Sequence, residues 1–196
     1  MTPAVAGLVL AAGEGRRYGR PKALVELGGR LLVDRAIGVL TEGGCDPVIV
    51  VLGASADEVV RRAELVGTRT VLNPAWSTGM GSSLRAGLAA LASTQVDAAL
   101  VLLVDTPGIG AGAVRRLARY AAPDAVAVGT YDGRRGHPVL LGRQHWAEVA
   151  GLAEGDAGAR PFMVAHPELV RPVPCEDIAD GVDVDVPEDL PDAGWG

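Results

Sequence analysis

The chain predicts a three-layer α/β fold around a parallel central sheet. Three observations carry that expectation. Apolar, β-branched runs at residues 4–12, 47–52, 98–104 and 125–130 are continuous rather than alternating, as strands covered on both faces must be. Helical patterns at 31–40, 57–66, 82–91 and 112–120 separate them, the last turning Val114 and Leu117 inward. The resulting β-α-β-α rhythm is that of right-handed crossovers. In such sheets ligands bind beyond the carboxyl ends of the strands.

Composition bounds the function. A chain of 196 residues is most simply one domain with a sizeable core, and with 4% aromatic residues that core must be filled by Val, Leu and Ala. A net charge of −6, with no basic stripe beyond the first loop, argues against a nucleic-acid partner. Cys45 and Cys175 are isolated thiols without metal-ligand spacing, which suits a reducing cytoplasm. The apolar start has no basic residue before it and runs straight into a charged loop, as a first strand does and a signal peptide does not. No run reaches membrane-spanning length.

The first strand empties into Gly13-Glu14-Gly15-Arg16-Arg17-Tyr18-Gly19-Arg20-Pro21-Lys22. Glycines let main-chain N–H groups approach a ligand, and four cations add positive charge, so the loop suits a triphosphate. It is not a Walker A loop, because Ala23 follows Lys22 where a metal-binding hydroxyl is required. Nor is it a dinucleotide fingerprint, since Gly13, Gly15 and Gly19 are spaced one step too widely. Lys22 is the only lysine in the chain, which reads as a compact ammonium with a task a planar guanidinium would not perform; a stray surface lysine is the alternative.

A short strand at 68–72 leads into Asn73-Pro74-Ala75-Trp76-Ser77-Thr78-Gly79-Met80-Gly81-Ser82-Ser83. Glycines, then serines, then a helix offer free N–H groups and hydroxyls to a base, ribose or phosphate; Ser82 alternatively caps the helix. Trp76 reads equally as a lid or as packing. The strand at 98–104 ends on Asp105-Thr106-Pro107, a carboxylate placed where Mg²⁺ beside bound phosphates needs an oxygen ligand; an Asp capping the next turn is the alternative.

The last third changes character. Tyr131-Asp132-Gly133-Arg134 predicts a hairpin turn whose second arm, 137–141, starts at Gly136-His137-Pro138. His137 is a candidate substrate contact. Gly155-Asp156-Ala157-Gly158-Ala159-Arg160 reads as a flap over a second substrate, or as a helix-to-helix turn. The closing run, 178–186, predicts a strand whose alternation points Asp183 and Asp185 to one face, either available as a second metal ligand. Pro187-Glu188-Asp189-Leu190 then begins a helical turn, with Asp185 a possible N-cap.

Assembled, these motifs resemble the MobA-like nucleotidyltransferases, most closely the molybdenum cofactor cytidylyltransferase branch. The likeness rests on Leu10-Ala11-Ala12-Gly13 with Arg16, Gly19 and Lys22, on Asn73-Pro74 through Gly79-Met80-Gly81-Ser82-Ser83-Leu84, and on Asp105-Thr106-Pro107. Gly136-His137-Pro138-Val139, Gly155-Asp156 to Arg160, and Asp183-Val184-Asp185 with Pro187 to Leu190 complete it, in the family's order. Tyr18 and Val186 depart from the family's usual Met or Phe and Thr, at positions that touch no expected ligand.

The resemblance implies a three-layer α/β/α Rossmann-like nucleotidyltransferase fold with a mostly parallel central sheet, and transfer of a nucleoside monophosphate from an NTP to the terminal phosphate of a molybdopterin-type acceptor, with release of pyrophosphate and a molybdenum hydroxylase as client. It implies a nucleotide-binding part, 1–110, built from Leu10, Ala11, Ala12, Gly13, Glu14, Gly15, Arg16, Lys22, Gly79, Met80, Ser82, Ser83 and Asp105. An acceptor part, 125–196, would supply His137, Asp156 and Arg160. Lys22, Arg16 and Asp105 would be catalytic, and Mg²⁺ would lie on Asp105 with Asp183 or Asp185. Ala12 stands where guanylyl members carry Gly, and its extra methyl narrows a purine pocket, which favours CTP. A guanylyl or sugar-phosphate nucleotidyltransferase, a non-catalytic cofactor carrier and a nucleotide-sensing module are the other readings the residues allow.

Overall fold

A computed structural model describes residues 3–189. In chain order these form β1 (Val5–Ala11), the small hairpin β2 (Glu26–Leu27) and β3 (Arg30–Leu31), α1 (Leu32–Glu42), β4 (Val48–Leu52) and α2 (Ala56–Arg62). There follow β5 (Thr68–Leu72), α3 (Met80–Leu91), β6 (Ala98–Leu103), α4 (Ala111–Ala118), β7 (Val126–Tyr131) and β8 (Arg134–Gly142). The chain closes with α5 (Trp146–Leu152), α6 (Arg160–Ala165) and β9 (Val170–Pro174).

Seven strands make one sheet in the order β5-β4-β1-β6-β8-β7-β9. All neighbours pair in parallel except β8, which runs antiparallel to both β6 and β7. β1 lies between β4 and β6 and is buried along its whole length, the reason its sequence is unbroken apolar. Its side chains alternate between two cores: Val5, Val9 and Ala11 join α1 and α4 on one face, Ala6, Leu8 and Leu10 join α3 on the other. Leu8, Leu40 and Leu84 are fully enclosed, each contributing about 1.5–3 kcal/mol by leaving water. Helices thus cover both faces, and the three layers follow. No helix among the described residues is long and apolar enough to cross a membrane.

Three expectations need correction. The helix expected over 57–66 stops at Arg62, because the Glu64 N–H leaves the helix to donate to the buried Asp34 carboxylate, 2.8 Å away. The segment 178–186 is not a strand. It has no ladder; Val184 N–H donates to the Asp105 carbonyl at 2.8 Å, and Asp189 accepts the N–H groups of Asp185 and Val186 at 2.8 and 3.0 Å. Asp189 rather than Asp185 therefore caps the closing turn, Pro187–Asp189; Leu190 lies outside the described residues. Finally, β9 was hidden by Arg171, Pro172 and Pro174, which break an apolar pattern; Pro suits this strand because it lies at the sheet's edge.

Candidate active site

The loops after β1 and before α3, the end of β6 and the closing segment surround a cleft of about 560 Å³. Burial of the parallel strands forces this: polar and glycine-rich residues collect where the strands end and face solvent. The first loop turns sharply at Gly15, whose φ of +64° places the space for a Cβ 2.0 Å from the Arg20 carbonyl oxygen. Only glycine fits there.

The cleft gathers Leu10, Ala12, Gly13, Glu14, Gly15, Arg16 and Lys22 from the first loop, Gly79, Met80 and Ser83 from the second, and Asp105, Asp156, Asp183 and Asp185. Ala11 and Ser82 are placed elsewhere. Strand alternation turns Ala11 into the opposite core, and the Ser82 hydroxyl is spent on Asn73, Ala75 and Gly79 within its own loop. Arg16 faces the cleft but donates to Glu14 beside it. Trp76, left open between lid and packing, lines the cleft wall, half-buried.

At the cleft's polar end Lys22 Nζ donates to Asp105 Oδ2 and to Asp185 Oδ1, each at 2.8 Å. Burial opposes the ammonium, but the Asp105 charge and hydrogen bonds to both acids outweigh it and hold its pKa above the ordinary lysine value. Arg17 occupies the other oxygen of Asp185 at 3.0 Å, so both oxygens of that carboxylate serve cations. The Lys22 hydrogen bond, against the opposing effect of slight burial and with the charges of Lys22 and Arg17 adding to it, holds Asp185 below the usual carboxylate range. Asp183 differs. Partial burial of its carboxyl, although the residue as a whole is exposed, then the charges of Asp105 and Asp185, push it up to about 6 against the pull of Lys22.

Asp105 Oδ1 is buried with no hydrogen-bond partner among the described residues. A buried carboxylate oxygen without a donor is costly, and a hard divalent cation is the partner its chemistry suits. The residues present therefore fit such an ion through Asp105 Oδ1, with Asp183 as the carboxylate the cations leave over. Among the described residues no three acid, imidazole or thiol groups form a ready-made metal cage. The group lying between Asp105 and Asp185 is the Lys22 ammonium.

The 155–160 loop is docked rather than open. Gly81 N–H donates to the Gly155 carbonyl at 2.8 Å, and Met80 N–H to Asp156 Oδ1 at 3.3 Å. Gly79, with φ +111°, has room for this contact only because it carries no side chain; a Cβ would lie 2.4 Å from the Gly155 backbone. Asp156 reaches the cleft by this route; Arg160 is exposed at the start of α6, outside the cleft lining.

His137 also stands outside the cleft lining. Burial drives its imidazole down to about 4, against the opposing pull of Asp105. The folded protein thus keeps it neutral, whereas the unfolded chain takes up a proton below 6.5. The stability this supplies is complete above pH 6.5 and is lost as pH falls towards 4. Denaturant titrations of wild type and His137→Gln at pH 7.5 and 5 should show wild type losing on the order of 1–2 kcal/mol relative to the variant. A pH-independent gap would show that the ring is not enclosed.

Sequence reasoning counted Arg17 only as loop charge and missed the anchoring roles of Val184, Asp189 and Tyr131. Tyr131 donates to the His137 carbonyl at 2.6 Å, and its ring packs on Gly181 ahead of the acidic pair. Only an Asp shortly beyond the Asp-x-Asp pair, a spacing suited to capping, was there to be noticed.

Comparison with known proteins places these features in context. The MobA-like NTP transferase domain profile matches residues 7–170. Nicotine blue oxidoreductase of Paenarthrobacter nicotinovorans is 43% identical over 96% of this chain and 95% of its own length. A probable molybdenum cofactor guanylyltransferase of Mycobacterium ulcerans is 31% identical over 95% and 92%. The crystal structure of an Rv0371c homolog from Mycobacterium sp. strain JC1 superposes with a TM-score of 0.81 at 35% identity, covering 94% of this chain and 92% of that one. Rv0371c of Mycobacterium tuberculosis in complex with manganese gives 0.75 at 27% identity, covering 95% and 92%.

Proposed function

The chain belongs to the MobA-like NTP transferase family, and from that premise we propose that it transfers CMP from CTP to the terminal phosphate of a molybdopterin-type acceptor. The observation that carries this reading is the convergence of Lys22, Asp105 and the closing acidic pair at the mouth of a glycine-rich loop. Residues 1–110 supply the nucleotide part and 125–196 the acceptor part. The ionised acceptor oxygen attacks the α-phosphorus; a new P–O bond forms there as the α–β bridging P–O bond breaks and pyrophosphate leaves.

No protein nucleophile is needed, so the chain's work is positioning and neutralisation. Main-chain N–H groups from Ala12 to Gly15 cradle the triphosphate, and Arg16 exchanges Glu14 for the β/γ oxygens. Lys22 moves onto the α-phosphate as negative charge builds there. Asp105 and Asp183 would hold Mg²⁺, whose charge would offset that of the reacting phosphates. Asp185 orients Lys22 and Arg17. Asp156 presents the acceptor side through its bond to Met80, whereas His137, neutral and outside the cleft lining, supports the site through packing rather than by touching substrate. The manganese complex of the mycobacterial neighbour supports a divalent ion in this fold.

CTP is favoured because the Ala12 methyl is fixed in the cleft floor, buried between sheet and α3. Pyrophosphate release measured in parallel with CTP, GTP and ATP, with and without molybdenum cofactor at saturating Mg²⁺, should be fastest with CTP and require the cofactor. Preference for GTP would overturn the base assignment. Release driven by a sugar phosphate would reassign the acceptor, and no release with any NTP would refute the transferase reading.

A second reading has one observation in its favour, the near full-length identity with nicotine blue oxidoreductase. It assigns the cleft to redox chemistry on nicotine blue. Reduction of nicotine blue by a supplied electron donor, without pyrophosphate release from any NTP, would establish it instead.

A further inference from the structure

Lys22 stands where its charge opposes the ion that Asp105 is expected to hold. Its ammonium lies 2.8 Å from Asp105 and 2.8 Å from Asp185, and its side chain is only 14% exposed, that of Asp105 20%. So little water reaches this pair that screening is weak, and a second cation arriving at Asp105 meets the ammonium at short range. Three carboxylates, Asp105, Asp183 and Asp185, are faced by two fixed cations, Lys22 and Arg17, which leaves little net negative charge to attract a free divalent ion.

We infer that Lys22 is a resident competitor of the divalent cation: it occupies Asp105 and Asp185 until a triphosphate draws it away, so that metal and nucleotide enter together rather than metal first. This rests on the reading above, in which Asp105 helps to hold the ion. The lone lysine of the chain finds its reason here. An ammonium on a flexible stem exchanges one oxygen partner for another without breaking a planar two-pronged contact, which a guanidinium must do. The backbone at Lys22 stays put, since its carbonyl accepts from Val25 N–H at 3.1 Å within a short 3-10 turn. Only the side chain needs to swing. A gate of this kind keeps the acids from being filled by metal without substrate, and delivers the ammonium to the α-phosphate at the moment nucleotide arrives.

The test is Mn²⁺ binding to the full chain without nucleotide, at pH 7.5 and constant ionic strength, followed by the electron paramagnetic resonance signal of free Mn²⁺. Lys22→Met and Lys22→Gln should each bind Mn²⁺ at least about ten-fold more tightly than wild type. Lys22→Gln keeps a hydrogen-bond donor for Asp105, which protects the fold should the methionine variant not fold. Lys22→Arg, which keeps the charge, should bind as weakly as wild type. Equal or weaker binding by the uncharged variants overturns the competitor role. Asp105→Asn added to Lys22→Gln then separates the causes: lost binding leaves the metal site standing and the competition refuted, whereas unchanged binding refutes the metal site as well. A gain that survives Asp105→Asn places the ion elsewhere and also overturns the inference.

Discussion

Lys22→Ala is expected to lower pyrophosphate release at saturating nucleotide and Mg²⁺ by at least on the order of 10²–10³-fold, with the fold retained. The loss should fall mainly on kcat, because the ammonium meets the α-phosphate most strongly when charge accumulates there in the transition state. Removing it also leaves both Asp105 carboxylate oxygens without a donor among the described residues, since Oδ1 has none and Oδ2 has Lys22. That costs about 1–3 kcal/mol of stability, which a domain of this size can bear. Far-UV circular dichroism and a denaturant midpoint separate this from catalysis. Near-normal turnover in a folded Lys22→Ala protein would remove the lysine from the mechanism.

Asp105→Ala should fall equally far, and Asp105→Asn nearly so, because an amide preserves shape but is a poor partner for a divalent ion. The two closing acids should then part company. Asp183→Asn is expected to raise the Mg²⁺ concentration needed for half-maximal rate, since its carboxylate is the one left to the metal. Asp185→Asn should instead lower kcat with less change in metal demand, because its oxygens hold Lys22 and Arg17. Acidification gives an independent check. With Asp183 raised to about 6, its proton competes with the metal below that pH, so apparent Mg²⁺ affinity should weaken as pH falls through about 6 in wild type and not in Asp183→Asn. Identical metal titrations for the two variants would overturn this division of labour.

How much of this was legible in the chain depends on how regular each segment is. β1, β4, β6 and β7 declare themselves because full burial demands unbroken apolar runs, and their boundaries fall within two residues of the pattern. The loop glycines were readable because backbone geometry at positions such as Gly15 admits no other residue. By contrast, β9 carries two prolines and an arginine, and an edge strand needs no unbroken apolar signature. The end of α2 is set by Asp34, a residue from another helix that takes the Glu64 N–H, so no local pattern announces it.

By itself the sequence determined the layered α/β architecture, the loops that meet beyond the strand ends and the residue types gathered there, because burial period and backbone constraint are written locally. Tertiary structure alone decided which acid does what. The closing segment has no strand period to orient its side chains; one bond from Val184 to Asp105 and two to Asp189 turn Asp185 onto Lys22 and Arg17 and leave Asp183 over. Side-chain direction in an irregular segment follows from its distant anchors, and those exist only once the chain is folded.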